Sequence, residues 1–309
     1  MATTDNAPQK KSETMEGLIN FRDLGNSSMA AEQRYVKAGM VFRSGTLDRL
    51  SSESVDELIE SHKIKTILDL RTSLEGKNDL PIDKSFPTMA LENIGAMDLI
   101  TDIPTGKRQR KRSEFDHGRK KYRVNFAGRS FQKNVVWQMC SPWLKLKIIF
   151  WTLLRNKRKA TYIVGREVLT PMGVPKMYKE FLASCKEEIL DALRIFSERQ
   201  NYPILVHCTQ GKDRTGLVCM LLLGIAGAPE SSIVNDYAKT QEGLAPVLPA
   251  MIQEMAKSGL SEVFATAPAE FMSEVLEFIN EEYGDIPQYL TQIGFGSEWQ
   301  ERVRKIICA

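Results

Sequence analysis

His207-Cys208-Thr209-Gln210-Gly211-Lys212-Asp213-Arg214-Thr215-Gly216 separates two apolar runs, Tyr202-Pro-Ile-Leu-Val-His207 before it and Thr215 to Ala226 after it. The first is short and bounded by turn residues and reads as a buried strand, while the second has the length of a helix. A strand that re-enters through a glycine-containing loop as a helix is half of a parallel-sheet unit. Such a loop points several backbone N–H groups at one spot, and the helix dipole adds positive potential there, so the spot suits a tetrahedral oxyanion. The same field would hold Cys208 as thiolate, reinforced by Lys212, Arg214 and the Thr215 hydroxyl. Arg214, six residues on, can return to clamp two phosphate oxygens while Cys208 attacks phosphorus in line. The N–H groups of Thr209, Gln210, Gly211, Lys212 and Arg214 would hold the remaining oxygens. Gly211 allows the backbone its close approach, and Gly216 lets the helix pack on the sheet.

Outward from this unit the chain keeps an α/β rhythm. Lys65-Thr-Ile-Leu-Asp-Leu-Arg71 reads as a strand, and Met89 to Ile94 as another. A helix starts at Ser51 with Glu53 in its first turn and runs toward His62. Gly17 to Gly25 reads as a compact loop and Arg34 to Arg43 as a short hairpin. Past residue 208 the pattern is helical: Thr215 to Ala226, Pro229 to Lys239, Val247 to Lys257, Pro268 to Tyr283, and two short pieces between Ile286 and Ile306. The expected fold is α/β, a mostly parallel central sheet flanked by helices. Residues 1–16 read as a polar, disordered tail, and 17–309 as one domain interrupted by an insertion at about 106–172.

That insertion breaks the rhythm. From Thr105 to Ala160 there are 17 Lys and Arg against Glu114 and Asp116, a local charge of +15 in a chain whose total is +3. Segregation of this size marks contact with something anionic more often than a merely solvated face. Trp143 to Leu154 is strongly apolar yet too short to cross a bilayer, so it reads either as a lid helix packed on the body or as an interfacial helix. The span 107–159 is therefore a candidate for peripheral contact with an anionic membrane; it lacks the pattern of an RNA-binding fold, and no nucleic acid is expected.

With 42% hydrophobic and 26% charged residues the chain is neither disordered overall nor a membrane bundle. Its five cysteines form no CxxC or Cys/His ladder, which excludes a zinc or disulfide framework and suits a reducing, cytoplasmic setting. The first residues hold no apolar signal core and no run of 18 apolar residues occurs, so neither export by a standard signal nor a membrane span is expected.

Five cysteines and 19 arginines make C-x5-R a chance event about 0.3 times in such a chain, but adding Gly211 and Thr215 lowers this to roughly 0.001. A Walker A loop fails at Asp213, where Ser or Thr is needed, and at Val206, where the upstream glycine is needed. The segment resembles the cysteine-dependent protein tyrosine phosphatase superfamily, whose signature is H-C-x5-R-[ST]. Asn20-Phe-Arg-Asp-Leu-Gly25, Phe42-Arg-Ser-Gly45, Ile67-Leu-Asp-Leu-Arg71 with Glu75, Tyr283-Gly and Tyr289-Leu-x-x-Ile-Gly294 look like an atypical subfamily of bacterial and fungal tyrosine and lipid phosphatases. The resemblance covers roughly residues 17–95 and 175–305. It implies a dual-specificity-like fold, a phosphocysteine intermediate, no metal or other cofactor, and activity on phosphotyrosine, in some members phosphoserine, phosphothreonine and phosphoinositides.

The general acid is less plain, because no Trp-Pro-Asp loop is present. The resemblance carries an acid/base role onto Asp213; the competing role is a structural carboxylate that neutralises Lys212 or caps the helix. Asp69 is the reserve acid, Asp23 is expected to tie the N-terminal segment to Arg43 or Arg71, and His207 is expected to orient the loop from behind. Lys212 and the basic insertion favour a polyanionic inositol headgroup, whereas a basic lid could equally recruit acidic phosphopeptides. The alternative to an enzyme is a catalytically weak pseudophosphatase that binds phosphoinositides or phosphoproteins. Sulfur or arsenate chemistry would need a resolving cysteine pair that is not evident.

Overall fold

The computed structural model describes residues 15–28, 33–72, 75–76, 80–91 and 118–308. Six strands, β1 (Arg22–Asp23), β2 (Val41–Ser44), β3 (Thr66–Asp69), β4 (Thr88–Met89), β5 (Lys120–Arg123) and β6 (Ile204–His207), form one sheet in the order β1-β2-β6-β3-β5-β4. Every pairing is parallel except β1 with β2. The helices used below are α1 (Ser52–Glu60), α2 (Pro142–Leu153), α3 (Lys157–Val164), α4 (Val174–Ser184), α5 (Lys186–Phe196), α6 (Asp213–Ile225), α7 (Glu230–Leu244), α8 (Leu248–Lys257), α9 (Ala269–Tyr283), α10 (Ile286–Gln292) and α11 (Ser297–Ile307).

Strand β6 is buried on both faces. Ile204 and Val206 face a large core with Val41 and Leu68, and Leu205 faces a smaller one with Phe42 and Ile67, the two-residue alternation of a sheet covered on each side. The smaller core is closed by Val55 and Leu58 of α1, which begins as expected with Ser51 accepting from the Ser54 N–H. Helix α6 is apolar all round and sits at the centre of the large core, where Leu217, Val218, Cys219, Leu221, Leu222 and Leu223 have no exposed surface.

The strand registers decide where the site can be. Ser44 of β2 and Asp69 of β3 both stand opposite His207, so three strands end together just where the Cys208 loop begins. This is the carboxyl edge of a parallel sheet, where open α/β folds bind ligands.

Three local expectations change. Residues 34–43 do not pair with one another: β2 takes β1 as its antiparallel partner, and Val36 bridges Cys308 near the far end of the described chain. The compact loop at 17–25 therefore contains a strand. The basic segment assigned to the insertion contains β5, whose Tyr122 is buried while Lys121 pairs with Asp83. Basic residues hid this strand, because a lysine with a carboxylate partner sits in a sheet without disturbing it. Of the strand expected from Met89 to Ile94 only Met89 belongs to β4, Ala90 and Leu91 having left the sheet; residues 92–94, the polar tail up to residue 14 and the basic run through His117 lie outside the described residues.

Behind the sheet, Asp236 of α7 accepts from Arg22 Nε at 3.0 Å and also pairs with Arg43, all three side chains being buried. Removing the carboxylate leaves two buried guanidinium groups without their counter-charge. Asp236→Ala is expected to lower stability by about 3–5 kcal/mol, whereas Asp191→Ala, which opens an exposed pair with Arg194, changes it by about 1 kcal/mol or less. Urea unfolding of the two variants beside the wild type measures the contrast.

Candidate active site

Cys208 lies buried at the floor of the loop, directly after β6. The loop carbonyls all point backwards and are held. Thr209 O accepts from Thr46 N–H at 2.9 Å, Gln210 O from Asn20 Nδ2 at 3.2 Å, and Gly211 O from Asn20 Nδ2 at 2.9 Å and Arg43 Nη2 at 2.8 Å. Among the described residues no acceptor takes the N–H groups of Thr209, Gln210, Gly211 or Lys212. A loop with its carbonyls tied behind has its amides free in front, where α6 adds the positive end of its dipole. Gly211 adopts φ +67°, and a Cβ there would stand 2.3 Å from Ser44 O, so only glycine lets the loop lie on the end of β2. Thr215 Oγ1 and Gln210 Oε1 are buried with no hydrogen-bond partner among the described residues.

Arg214 is held by Glu75 in a two-pronged pair, Nη1 to Oε2 at 2.7 Å and Nη2 to Oε1 at 2.6 Å, and Nη1 also reaches Leu70 O. Glu75 Oε1 accepts from Thr209 Oγ1 at 2.7 Å as well. Burial alone would raise the Glu75 carboxyl, but the hydrogen bonds and charge of Arg214 outweigh it and hold it at about 2. On Arg214 burial is likewise outweighed, by Glu75, Cys208 and Asp213, so the guanidinium stays charged.

Asp213, the first residue of α6, accepts from Tyr178 of α4 at 2.6 Å and lies 3.4 Å from Lys212 Nζ. The Tyr178 proton is used in that bond, so the 2.9 Å contact between Tyr178 and Tyr237 is donated by Tyr237. Burial and the neighbouring Asp213 push the Tyr178 hydroxyl well above the ordinary tyrosine value, which keeps it a neutral donor. Tyr178 was not visible in the sequence, because it lies 35 residues from Asp213 and looks like one more apolar position of an amphipathic helix.

Asp69 has a different duty. Its two oxygens take Arg71 Nε and Nη2, each at 3.0 Å, and Oδ1 stands 3.8 Å from His207 Nε2. Burial would raise this carboxyl, yet His207 and the Arg71 fork hold it well below the usual carboxylate range. Asp69 is thus held by a charged arginine fork, whereas Asp213 is held by a neutral hydroxyl. Burial lowers the His207 ring below its ordinary value, and its Nδ1 is 3.2 Å from Cys208 O, a contact behind the start of the loop.

Two expectations are corrected here. The carboxylate bound to Arg43 is Asp236, and Arg71 pairs with Asp69 and Asp48; Asp23 instead receives the N–H groups of Gly25 and Gly39 and caps a short helical turn. The Lys212 ammonium is turned away from the loop mouth and donates to Phe264 O at 2.5 Å and Thr266 O at 3.0 Å, so what Lys212 offers an anion is its backbone N–H. Burial pushes the Cys219 thiol up to about 11 and that of Cys185 up to about 12, and raises that of Cys140 as well, the setting of core residues. A groove of about 800 Å³ between α7 and α9 is lined by Glu230, Glu270, Glu274, Glu277 and Glu281, and that lining repels an anion.

The sequence model of the tyrosine phosphatase family matches residues 13–309. The chain belongs to that family. Among curated proteins it is 31% identical over 121 residues to the triple specificity protein phosphatase PtpB of Mycobacterium tuberculosis, covering 34% of this chain and 44% of that one. It is 35% identical over 68 residues to a tyrosine-protein phosphatase of Nostoc commune, 22% of this chain and 23% of that one. It is 39% identical over 54 residues to an inositol diphosphatase of Arabidopsis thaliana, 18% and 27% of the two chains. The matched stretches thus span less than half the length of these relatives. The family match runs through the segment around residues 106–172, which the motifs alone left unassigned.

The Glu75–Arg214 pair gives a signed pH dependence. Because the folded carboxyl is depressed, its contribution to stability is complete above the unfolded value near pH 4.3 and is lost as pH falls toward 2. Urea unfolding of wild type and Glu75→Gln should show a stability gap at pH 7 that narrows steadily between pH 5 and pH 2. A constant gap would mean that the pair does not contribute through its charge.

Proposed function

We propose that this protein hydrolyses phosphate monoesters through a phosphocysteine intermediate. The observation that carries the reading is the loop itself: unbonded amides facing forward, carbonyls tied behind, Cys208 at the base and Arg214 held charged beside it. Cys208 Sγ attacks phosphorus, the ester P–O bond breaks, and Asp213 gives its proton to the leaving oxygen. Water then attacks the phosphocysteine, the P–S bond breaks, Asp213 takes a proton from the water, and the thiolate and inorganic phosphate are released. Arg214 and the loop amides carry the charge on the equatorial oxygens in both steps, and the Thr215 hydroxyl is available to the thiolate. Tyr178 is a positioning residue for Asp213.

The proposed substrates are phosphotyrosine proteins, with phosphoserine, phosphothreonine and phosphoinositides as further classes; the triple specificity and inositol diphosphatase relatives support that breadth. A preference for polyanionic headgroups draws no support from the Lys212 ammonium, which is bonded to carbonyls.

Cys208→Ser should abolish turnover of an aryl phosphate while inorganic phosphate still binds; full activity in this variant would exclude the mechanism. Retained binding with no turnover in the wild type would favour the pseudophosphatase alternative.

Asp213→Asn should lose about 100-fold or more in kcat on alkyl phosphates and much less on aryl phosphates, whose leaving groups need little protonation. Tyr178→Phe should move kcat in the same direction by a smaller factor, with KM unchanged. Equal losses on both ester types would return Asp213 to a structural role.

A further inference from the structure

Nine of the eleven large apolar side chains that stand exposed among the described residues lie between Trp137 and Tyr162, with Trp143 at 67% and Leu153 at 77% exposure. Helices α2 and α3 contain no buried residue, although α2 is mostly apolar in sequence. From residue 118 to Gly165 the chain has no Asp or Glu, and six cations fall within 137–165: Lys145, Lys147, Arg155, Lys157, Arg158 and Lys159; the next cation, Arg166, is paired with Glu167. Ammonium groups lie over the indoles, Lys147 5.6 Å from the Trp143 ring and Lys159 4.0 Å from that of Trp151. Apolar area, indoles and cations without a carboxylate among them form the composition that partitions into a headgroup layer.

We propose that the α2–α3 hairpin is the face by which this protein lies on an anionic phospholipid bilayer. At twelve residues α2 is about 18 Å long, well short of a bilayer's apolar core, so the contact is interfacial. A second copy of the chain is the poorer occupant, because a two-fold contact would bring both sets of cations together on a patch whose one neighbouring carboxylate, Glu167, is already taken by Arg166. The hairpin foot is fixed to the body near the phosphate loop. A Cβ on Gly165 would stand 1.9 Å from Ser258 O, and one on Gly259 2.2 Å from Tyr162 O; the segment that follows carries Phe264 and Thr266, whose carbonyls hold Lys212. The surface deepens the proposed hydrolysis by naming where substrate is met, but it stands on its own geometry.

The test is co-sedimentation of the full-length protein with vesicles of phosphatidylcholine alone and of phosphatidylcholine mixed with phosphatidylserine. Binding is expected only to the mixed vesicles and should weaken as salt is raised. Trp143→Ser with Leu153→Ser, and separately Lys145→Glu with Lys147→Glu, should each weaken it about tenfold or more, with the thermal melt and the hydrolysis of a soluble aryl phosphate unchanged. Cys208→Ser should bind vesicles as wild type does, so loss of turnover and loss of docking are read separately. Equal binding to neutral vesicles, no binding at all, or variants that bind like wild type would overturn the proposal. So would a dimer in light scattering that Trp143→Ser dissolves, or unchanged vesicle binding with a shifted KM for the soluble ester, which would make the hairpin a lid.

Discussion

A backbone loop can offer its amides to one anion only if its carbonyls are turned the other way and satisfied there. This constraint organises the molecule around residues 208–214. Asn20, Arg43, Thr46 and His207 come from three separate parts of the chain, and each supplies a contact behind the loop. The β1–β2 pairing sets Arg22 opposite Arg43, with Asn20 two residues before Arg22, and β2 packs against β6 in a register that brings Ser44 under Gly211. The sheet thus serves chiefly to bring the ends of β2, β6 and β3 together beneath the site.

Such a loop needs cations behind and beside it, and buried cations need counter-charges. Four carboxylates meet the need: Asp236 for Arg22 and Arg43, Asp69 and Asp48 for Arg71, and Glu75 for Arg214. Burial opposes ionisation of Asp236, Asp69 and Glu75, and the arginines outweigh it. Asp213 differs in kind, since its partners are a neutral tyrosine hydroxyl and the edge of a lysine already bonded to two carbonyls.

The hairpin of α2 and α3 follows other rules. The body buries its apolar side chains around α6 and pairs its charges; the hairpin exposes one kind and holds no acid of its own before Glu167, which is taken by Arg166. Its attachment at Gly165 and Gly259 is a close backbone contact that tolerates no side chain, and Leu144, Ile148 and Val164 pack against the core, so the foot is firmly placed while the outer faces of the two helices stay exposed.

Local patterns made much of this legible. Strand β6, the loop, and the helices α1 and α6 to α11 appear in the sequence because apolar period, a serine cap and a glycine at a left-handed position act within a few residues. Cys208 and Arg214 were readable for the same reason: their spacing is set within one loop. Strand β5 was hidden, since its lysines suggested solvent and only their partners in the folded sheet make them acceptable. The pairing of Arg43 with Asp236, the turning of Lys212 toward residues 264–266, and the hold of Tyr178 on Asp213 all join residues 35 or more positions apart. A charge or hydroxyl in a sequence has many possible partners, and its choice depends on which burial leaves none unpaired. The sequence by itself determined the Cys208–Arg214 loop and the α/β order around it; the tertiary structure decided which carboxylates are locked to arginines and which is not, because desolvation and counter-charge exist only once the elements have packed.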